Sequence, residues 1–144
     1  MQYHKLLLGA LLGLFQFAFF PLLASAATSI SGTLFFDTTW TSFGSPYVID
    51  GQFIIPKGVT LTIEPGVVVK MGQPSCNCYA NIWVFGTLHA GDLNASERVI
   101  FTSVHDDTGG DTDGVSVPPQ PGDWRMINVG PGGVLVLHGT DLRY

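Results

Sequence analysis

The sequence predicts an all-β chain wound as a parallel solenoid, and three observations lead there. The stretch from Ile55 to Met71, IPKGVTLTIEPGVVVKM, holds two short alternating runs: Val59, Leu61 and Ile63 are set against Thr60 and Thr62, then Val67, Val69 and Met71 against Val68 and Lys70. Alternation with period two places one set on a core face and the other in water. A hard corner precedes each run. At Pro65-Gly66, Pro fixes φ and Gly supplies φ > 0, which bends the chain without pairing the flanking strands as a hairpin. The unit then recurs: Asn81 to Ala90 (NIWVFGTLHA) with Arg98 to Ser103 (RVIFTS), and again Trp124 to Tyr144. With Gly58, Gly86 and Gly133 as equivalent corners the steps are 28 and 47 residues, and the second contains a polar insertion at 104–123. Without those 20 residues the second step is 27. Repetition at ~20–50 residues marks a solenoid, in which one turn of chain buries its apolar face only by stacking on the next. Short strands with Gly and Pro turns also suit an antiparallel sandwich, but nothing has the helical periodicity needed for the crossovers of an ordinary α/β sheet.

Taken in order, residues 1–26 read as a secretory signal peptide. Lys5 precedes an apolar run from Leu6 to Leu23, and Ala24-Ser25-Ala26 gives a small-x-small exit. Pro21 and that exit separate it from a transmembrane helix, and cleavage is expected after Ala26 or Ala27. Lys5 is the one charge lost, leaving 5 basic against 11 acidic residues, a net of −6. Such a balance gives no electrostatic footprint for nucleic acid. The mature part is rich in Gly, Thr, Val and Pro, which favours strands and turns over helices. Its core is expected to comprise Val59, Leu61, Ile63, Val67 and Val69, with Leu88, Ile100, Val134 and Val136 stacked on them from later coils. Thr, Lys and Glu are expected to face water.

Seven phrases in order, SPYVIDG (45–51), IPKGVTLTIEPGVVVKM, VFGTLHAGD (84–92), VIFTS (99–103), HDDTGGDTDG (105–114), PGDW (121–124) and LRY (142–144), resemble the amino-terminal part of secreted right-handed parallel β-helix proteins of the pectin-lyase-like class. The resemblance covers nearly all of the mature chain. It implies a right-handed parallel β-helix with an amino-terminal cap at 27–52, about three coils at 53–144 and an acidic loop at 104–123. Phe35, Phe36, Trp40 and Phe43 suit a cap, because an open solenoid end exposes apolar surface and strand edge. It also implies further coils beyond LRY, so a chain ending at Tyr144 reads as truncated or as a fragment of a longer surface protein.

Several residues invite chemistry. Asp106, Asp107, Asp111 and Asp113 lie in a Gly-rich loop, and Asp107, Asp111 and Asp113 are candidate Ca²⁺ ligands, although the spacing is not that of an EF-hand: Gly109 and Gln120 stand at the first and last ligand positions. The alternative is a solvated acidic insertion. Cys76 and Cys78 are separated by one residue; export favours oxidation, a bridge across so small a ring is strained, and free thiols or pairing with another chain remain open. Trp83 and Trp124 are candidates for stacking on a sugar face, against the alternative of junction packing. His89, His105 and His138 read as edge or surface histidines, and Glu64 as a corner residue beside Pro65-Gly66. Asn94-Ala95-Ser96 is a formal glycosylation sequon.

Fold alone does not give function. The expectation is an exported, non-catalytic scaffold segment of a cell-surface or secreted protein, serving adhesion or contact with polysaccharide or cell-surface glycan. The rival is the leading portion of a polysaccharide lyase or glycoside hydrolase, whose active-site coils the resemblance places beyond this sequence. Val134-Leu135-Val136-Leu137 is apolar on both faces, so self-association through the last coil is expected.

Overall fold

The computed structural model of the protein describes residues 26–72 and 79–144, and the signal-peptide expectation and the Cys76/Cys78 pair lie outside them. Eleven strands and one 3₁₀ turn make up the regular structure of the described residues. The strands are β1 (Thr28–Thr33), β2 (Thr38–Trp40), β3 (Tyr47–Ile55), β4 (Thr60–Ile63), β5 (Val68–Met71), β6 (Asn81–Val84), β7 (Thr87–Ala90), β8 (Val99–Ser103), β9 (Met126–Val129), β10 (Val134–Leu137) and β11 (Thr140–Leu142). Every pairing is parallel, in one sheet ordered β2-β4-β7-β10 and a second ordered β11-β8-β5-β3-β6-β9, with β1 against β3.

The curl of the second sheet comes from β3. Its first part, Tyr47–Ile49, pairs with β5, and its second, Gln52–Ile55, pairs with β6. Gly51 sits between them at φ 87°, a conformation glycine adopts without strain. The chain thus passes between the two sheets and returns, each strand lying parallel to its counterpart from the previous pass. Thr60 lies opposite Thr87 and Thr87 opposite Val134, steps of 27 and 47 residues. The molecule is therefore all-β, with parallel strands and a curled sheet, compatible with a solenoid; the antiparallel sandwich is overturned.

Two corners deserve an atomic reading. Val67 N–H donates to Glu64 O (3.4 Å) across Pro65 and Gly66, whose φ is 81°, as the Pro-Gly turn requires. Before β10, Gly133 N–H donates to Gly130 O (3.0 Å) across Pro131 and Gly132, again with φ 81°. Gly86 is fixed for another reason: a Cβ there would strike the carbonyl oxygens of Pro56 and Val59. The residue in line with Gly86 is Val59, so Gly58 lies one position off the expected alignment, while Gly86 and Gly133 are in register.

Inside, Leu61, Leu88 and Leu135 form one ladder and Ile63, Ala90 and Leu137 another. Leu61, Ile63, Val67, Val69 and Leu88 are buried as expected, and Val59 packs half-buried against them. Three assignments are corrected. Ile100, Val134 and Val136 point outward, and Val99 with Phe101, and Leu135 with Leu137, take the inner positions. In an unbroken apolar run alternation carries no parity, so the register of the neighbouring strand decides which face each residue takes.

The amino-terminal end is covered differently from the expectation. β1 lies along the whole of β3, which itself crosses the 52/53 boundary assigned to the cap. Trp40 is buried, stacked on Tyr47 (4.6 Å between ring centres, 6° between planes) and near Phe53 (5.7 Å). Phe35, Phe36 and Phe43 are exposed, so of the four aromatics proposed for the cap Trp40 alone covers the core. No helix among the described residues is long and apolar enough to cross a membrane.

Replacement of Leu61 by Ala should lower stability by about 2–5 kcal/mol, as for other large-to-small changes in a packed core. Replacement of the outward Val136 by Thr should stay within ~0.5 kcal/mol. Urea unfolding of both variants checks the parity of the ladders, and equal losses would contradict it.

Candidate functional site

The first part of the insertion at 104–123 lies back on the protein, while 114–118 are exposed. It leaves β8 at Val104, whose N–H donates to Met71 O (3.0 Å), and folds back over the outer face of β5 and β3. Gly109 comes to rest over Val68, Gly110 over Lys70, and Thr112 beside Val48 and Asp50. The loop is therefore a flap laid across the strands.

Lys70 is its centre. The alternation Val69, Lys70, Met71 predicts an outward, solvated lysine; the side chain does point outward, but the flap closes over it and its exposure is 0%. Its Nζ donates to Gly110 O. Burial pushes its pKa below the ordinary lysine value, while the charges of Asp106, Asp107, Asp113 and Asp111 pull it back up. The cation that balances the acidic loop is thus the protein's own.

The flap's carboxylates act as backbone anchors. Asp106 accepts from Thr102 Oγ1 (2.6 Å) and from Thr108 N–H (2.9 Å). Burial would raise its pKa, but these hydrogen bonds outweigh it and hold the carboxyl below the usual aspartate range. Asp111 Oδ1 accepts from the N–H groups of Gly114 (2.8 Å) and Asp113 (3.1 Å), which lower its pKa. Asp113 meets His105 Nδ1 at 2.5 Å and caps Val115 N–H at 3.0 Å. At the far end Asp123 Oδ2 accepts from Ser103 Oγ (2.6 Å) and Gln120 N–H (2.9 Å), so both ends of the flap are tied to β8.

The structure does not bring Asp107, Asp111 and Asp113 together as ligands. Among the described residues no group of three or more His, Cys, Asp or Glu side chains is placed to hold a metal ion. The physical reason lies in the bonds above: Asp111 and Asp113 are turned toward backbone N–H groups and His105, and Lys70 supplies the positive charge that a Ca²⁺ would bring. His105, expected to be a bland surface residue, is a flap contact. Lys70 could not be found by alternation, and the one sequence signal was four aspartates without a basic residue in their own loop.

Trp83 and Trp124 serve different places. Trp83 stands on the outer face of β6 in the row Ile54–Trp83–Asn128, with Phe85 stacked against it (6.2 Å, 9°). Trp124 packs against the core and its Nε1 donates to Arg143 O (2.9 Å). Trp83 therefore keeps an aromatic neighbour for a sugar face, but that neighbour is Phe85. His89 and His138 meet edge to face at 5.7 Å on the first sheet. Arg98 Nε pairs with Asp141 Oδ1 at 2.6 Å and holds that carboxyl's pKa down, tying β11 to the segment before β8. Glu64 is exposed beside its corner, and Asn94 of the sequon is exposed in a loop.

Beneath the end of the flap lies a cleft of about 220 Å³ lined by Ala27, Ser29, Val48, Asp50 and Thr112. Asp50 Oδ1 and Thr112 Oγ1, both on its lining, are buried atoms without a hydrogen-bond partner. Comparison of the chain with protein-family models, with curated proteins and with solved structures finds no match.

Two outcomes are expected. Lys70→Met removes a charge-assisted hydrogen bond, a class worth ~1.5–3 kcal/mol, so the amides of Gly110, Asp113 and Gly114 should exchange about 10–100-fold faster while those of β5 stay protected. Unchanged flap protection would show that Lys70 does not hold it. Thermal unfolding in excess Ca²⁺ and in chelator should give the same midpoint; an upward shift with Ca²⁺ would mean that the aspartates rearrange around the ion.

Proposed function

We propose that the chain is the capped start of an exported, non-catalytic right-handed parallel β-helix, a scaffold segment of a cell-surface or secreted protein that presents its outer faces for adhesion and glycan contact. The observation that carries this reading is the use made of the insertion: its first part lies over one outer face, and Asp106 and Asp123 tie its two ends to β8 while Asp113 meets His105. Groups fixed in this way support a shaped, rigid surface. The export step rests on the signal-peptide reading of residues 1–26.

Glycan contact is assigned to the outward face of β6, where Trp83 and Phe85 stack and the amide of Asn128 stands beside Trp83. An aromatic plane beside amides suits a sugar, which has one apolar face and a rim of hydroxyls. Self-association is assigned to the far edge. Val129, Val134, Leu142 and Tyr144 are exposed there on or beside β9, β10 and β11, which are edge strands among the described residues. Unpaired parallel edges with apolar neighbours recruit further strands.

A panel of immobilised polysaccharides tests the glycan reading. The purified 27–144 segment should be retained by at least one polymer, and Trp83→Ala should weaken retention about 10-fold, the scale of one lost aromatic contact. Retention that is insensitive to Trp83 would remove that face from the proposal. Light scattering of the same sample should show self-association that grows with concentration; a monodisperse monomer would contradict the edge assignment.

A further inference from the structure

The cleft under the flap has a chemistry of its own. Ser29 and Val48 are direct cross-strand partners, Ala27 stands two residues before the first and Asp50 two residues after the second. At ~3.3 Å per residue the cleft therefore runs about 13 Å along the strands. Its apolar part is the Ala27 methyl and the Val48 side chain, and a polar part is formed by Asp50 and by Thr112 reaching down from the flap. Asp50 Oδ1 and Thr112 Oγ1 have no hydrogen-bond partner in the protein, although each is a buried atom. A buried carboxylate oxygen without a donor is costly, and such groups in folded proteins are ordinarily satisfied by something.

The missing group is a donor. Asp50 Oδ1 lacks a donor, and Thr112 Oγ1, a hydroxyl, can both donate and accept; Lys70, paired across the sheet with Val48, is committed to Gly110 O. Among donors, a cation is favoured over a neutral hydroxyl because its hydrogen bond to a carboxylate is charge-assisted. A primary ammonium offers three donors and no acceptor, and an alkyl stem behind it covers apolar surface while the head stays polar. We infer that the cleft is a binding site for a primary alkylammonium group, whose head donates to Asp50 Oδ1 and Thr112 Oγ1 and whose stem lies along Val48 toward Ala27. The inference stands on the cleft and its unpaired atoms, independently of glycan contact at Trp83.

The test titrates the ¹⁵N-labelled 27–144 segment, acetylated at its amino terminus so that no α-ammonium stands at Ala27, with n-butylammonium chloride, against sodium chloride at equal ionic strength. Saturable shifts are expected at the amides of Ser29, Val48 and Thr112. Asp50→Asn keeps the shape and removes the charge, and since Oδ1 carries no bond within the protein the fold should survive; affinity should fall at least ~10-fold, as expected for losing a charge-assisted hydrogen bond. Thr112→Val, a second variant on the other wall, should also weaken binding, while Glu64→Gln on its exposed corner should not. 1,5-Diaminopentane and Nα-acetyl-lysine methylamide then separate the two sources of this chemistry, a free diamine and a lysine side chain of a partner, and saturable binding of either supports the site. The proposal is overturned if n-butylammonium acts no differently from sodium, if Asp50→Asn binds it equally well, or if n-butanol or a neutral disaccharide saturates the same amides as strongly.

Discussion

Everything in this molecule depends on parallel register between strands that lie far apart in sequence. Leu61 stands over Leu88 and Leu88 over Leu135, and the same hydrogen-bonded ladder that sets these pairs also sets Thr62, His89 and Val136 on the outside. A shift by one residue would turn every inner side chain out, so the buried face enforces the register strongly. Apolar burial at about 25 cal/mol per Å² is the driving term, and the parallel hydrogen bonds decide which of many collapsed arrangements it stabilises. The corners serve that end: Gly86 admits the carbonyls of Pro56 and Val59 where any Cβ would force the tiers apart.

The flap is the second consequence. Because the inner face of β8 is buried in the core, an insertion after β8 emerges on the outside and must either float or lie down. It lies down over Lys70, and one buried ammonium then faces four carboxylates while accepting desolvation. Burying a charge is expensive unless it is paired and hydrogen-bonded, and here the hydrogen bond goes to a backbone carbonyl of the flap itself, so the charge and the loop hold each other. The cleft at Asp50 and Thr112 exists because the flap reaches β3 and stops short of sealing it.

Much of this was legible in the residues, and the failures share a cause. The alternation of Val59 to Ile63, the Pro-Gly corner at 65–66 and the recurring Gly86 and Gly133 gave the strands, the corner and the tiers, since each is a local property. The inner faces of Val99–Phe101 and Val134–Leu137 were misread because a run of apolar residues has no parity until a neighbour supplies it. Aligning Gly86-Thr87-Leu88 with Gly133-Val134-Leu135 would have named Leu135 as the inner residue. Lys70 looked solvated because its cover comes from a loop about 40 residues later, and Phe35, Phe36 and Phe43 looked like a cap because composition cannot tell a buried aromatic from an exposed one. Phe85 beside Trp83 was legible by the same alternation, since positions 83 and 85 share the outward face.

The central claim is that successive tiers are parallel and in this register, and the hydrogen bonds that carry it can be observed one by one. Couplings across hydrogen bonds, measured by NMR on the labelled chain, should link Thr87 N–H to the Val59 carbonyl, Gly91 to Ile63, Val134 to Gly86 and His138 to Ala90. Donor and acceptor numbers then rise together along the sheet, as parallel strands demand. Couplings in which the acceptor number falls as the donor number rises would make the strands antiparallel and contradict the account.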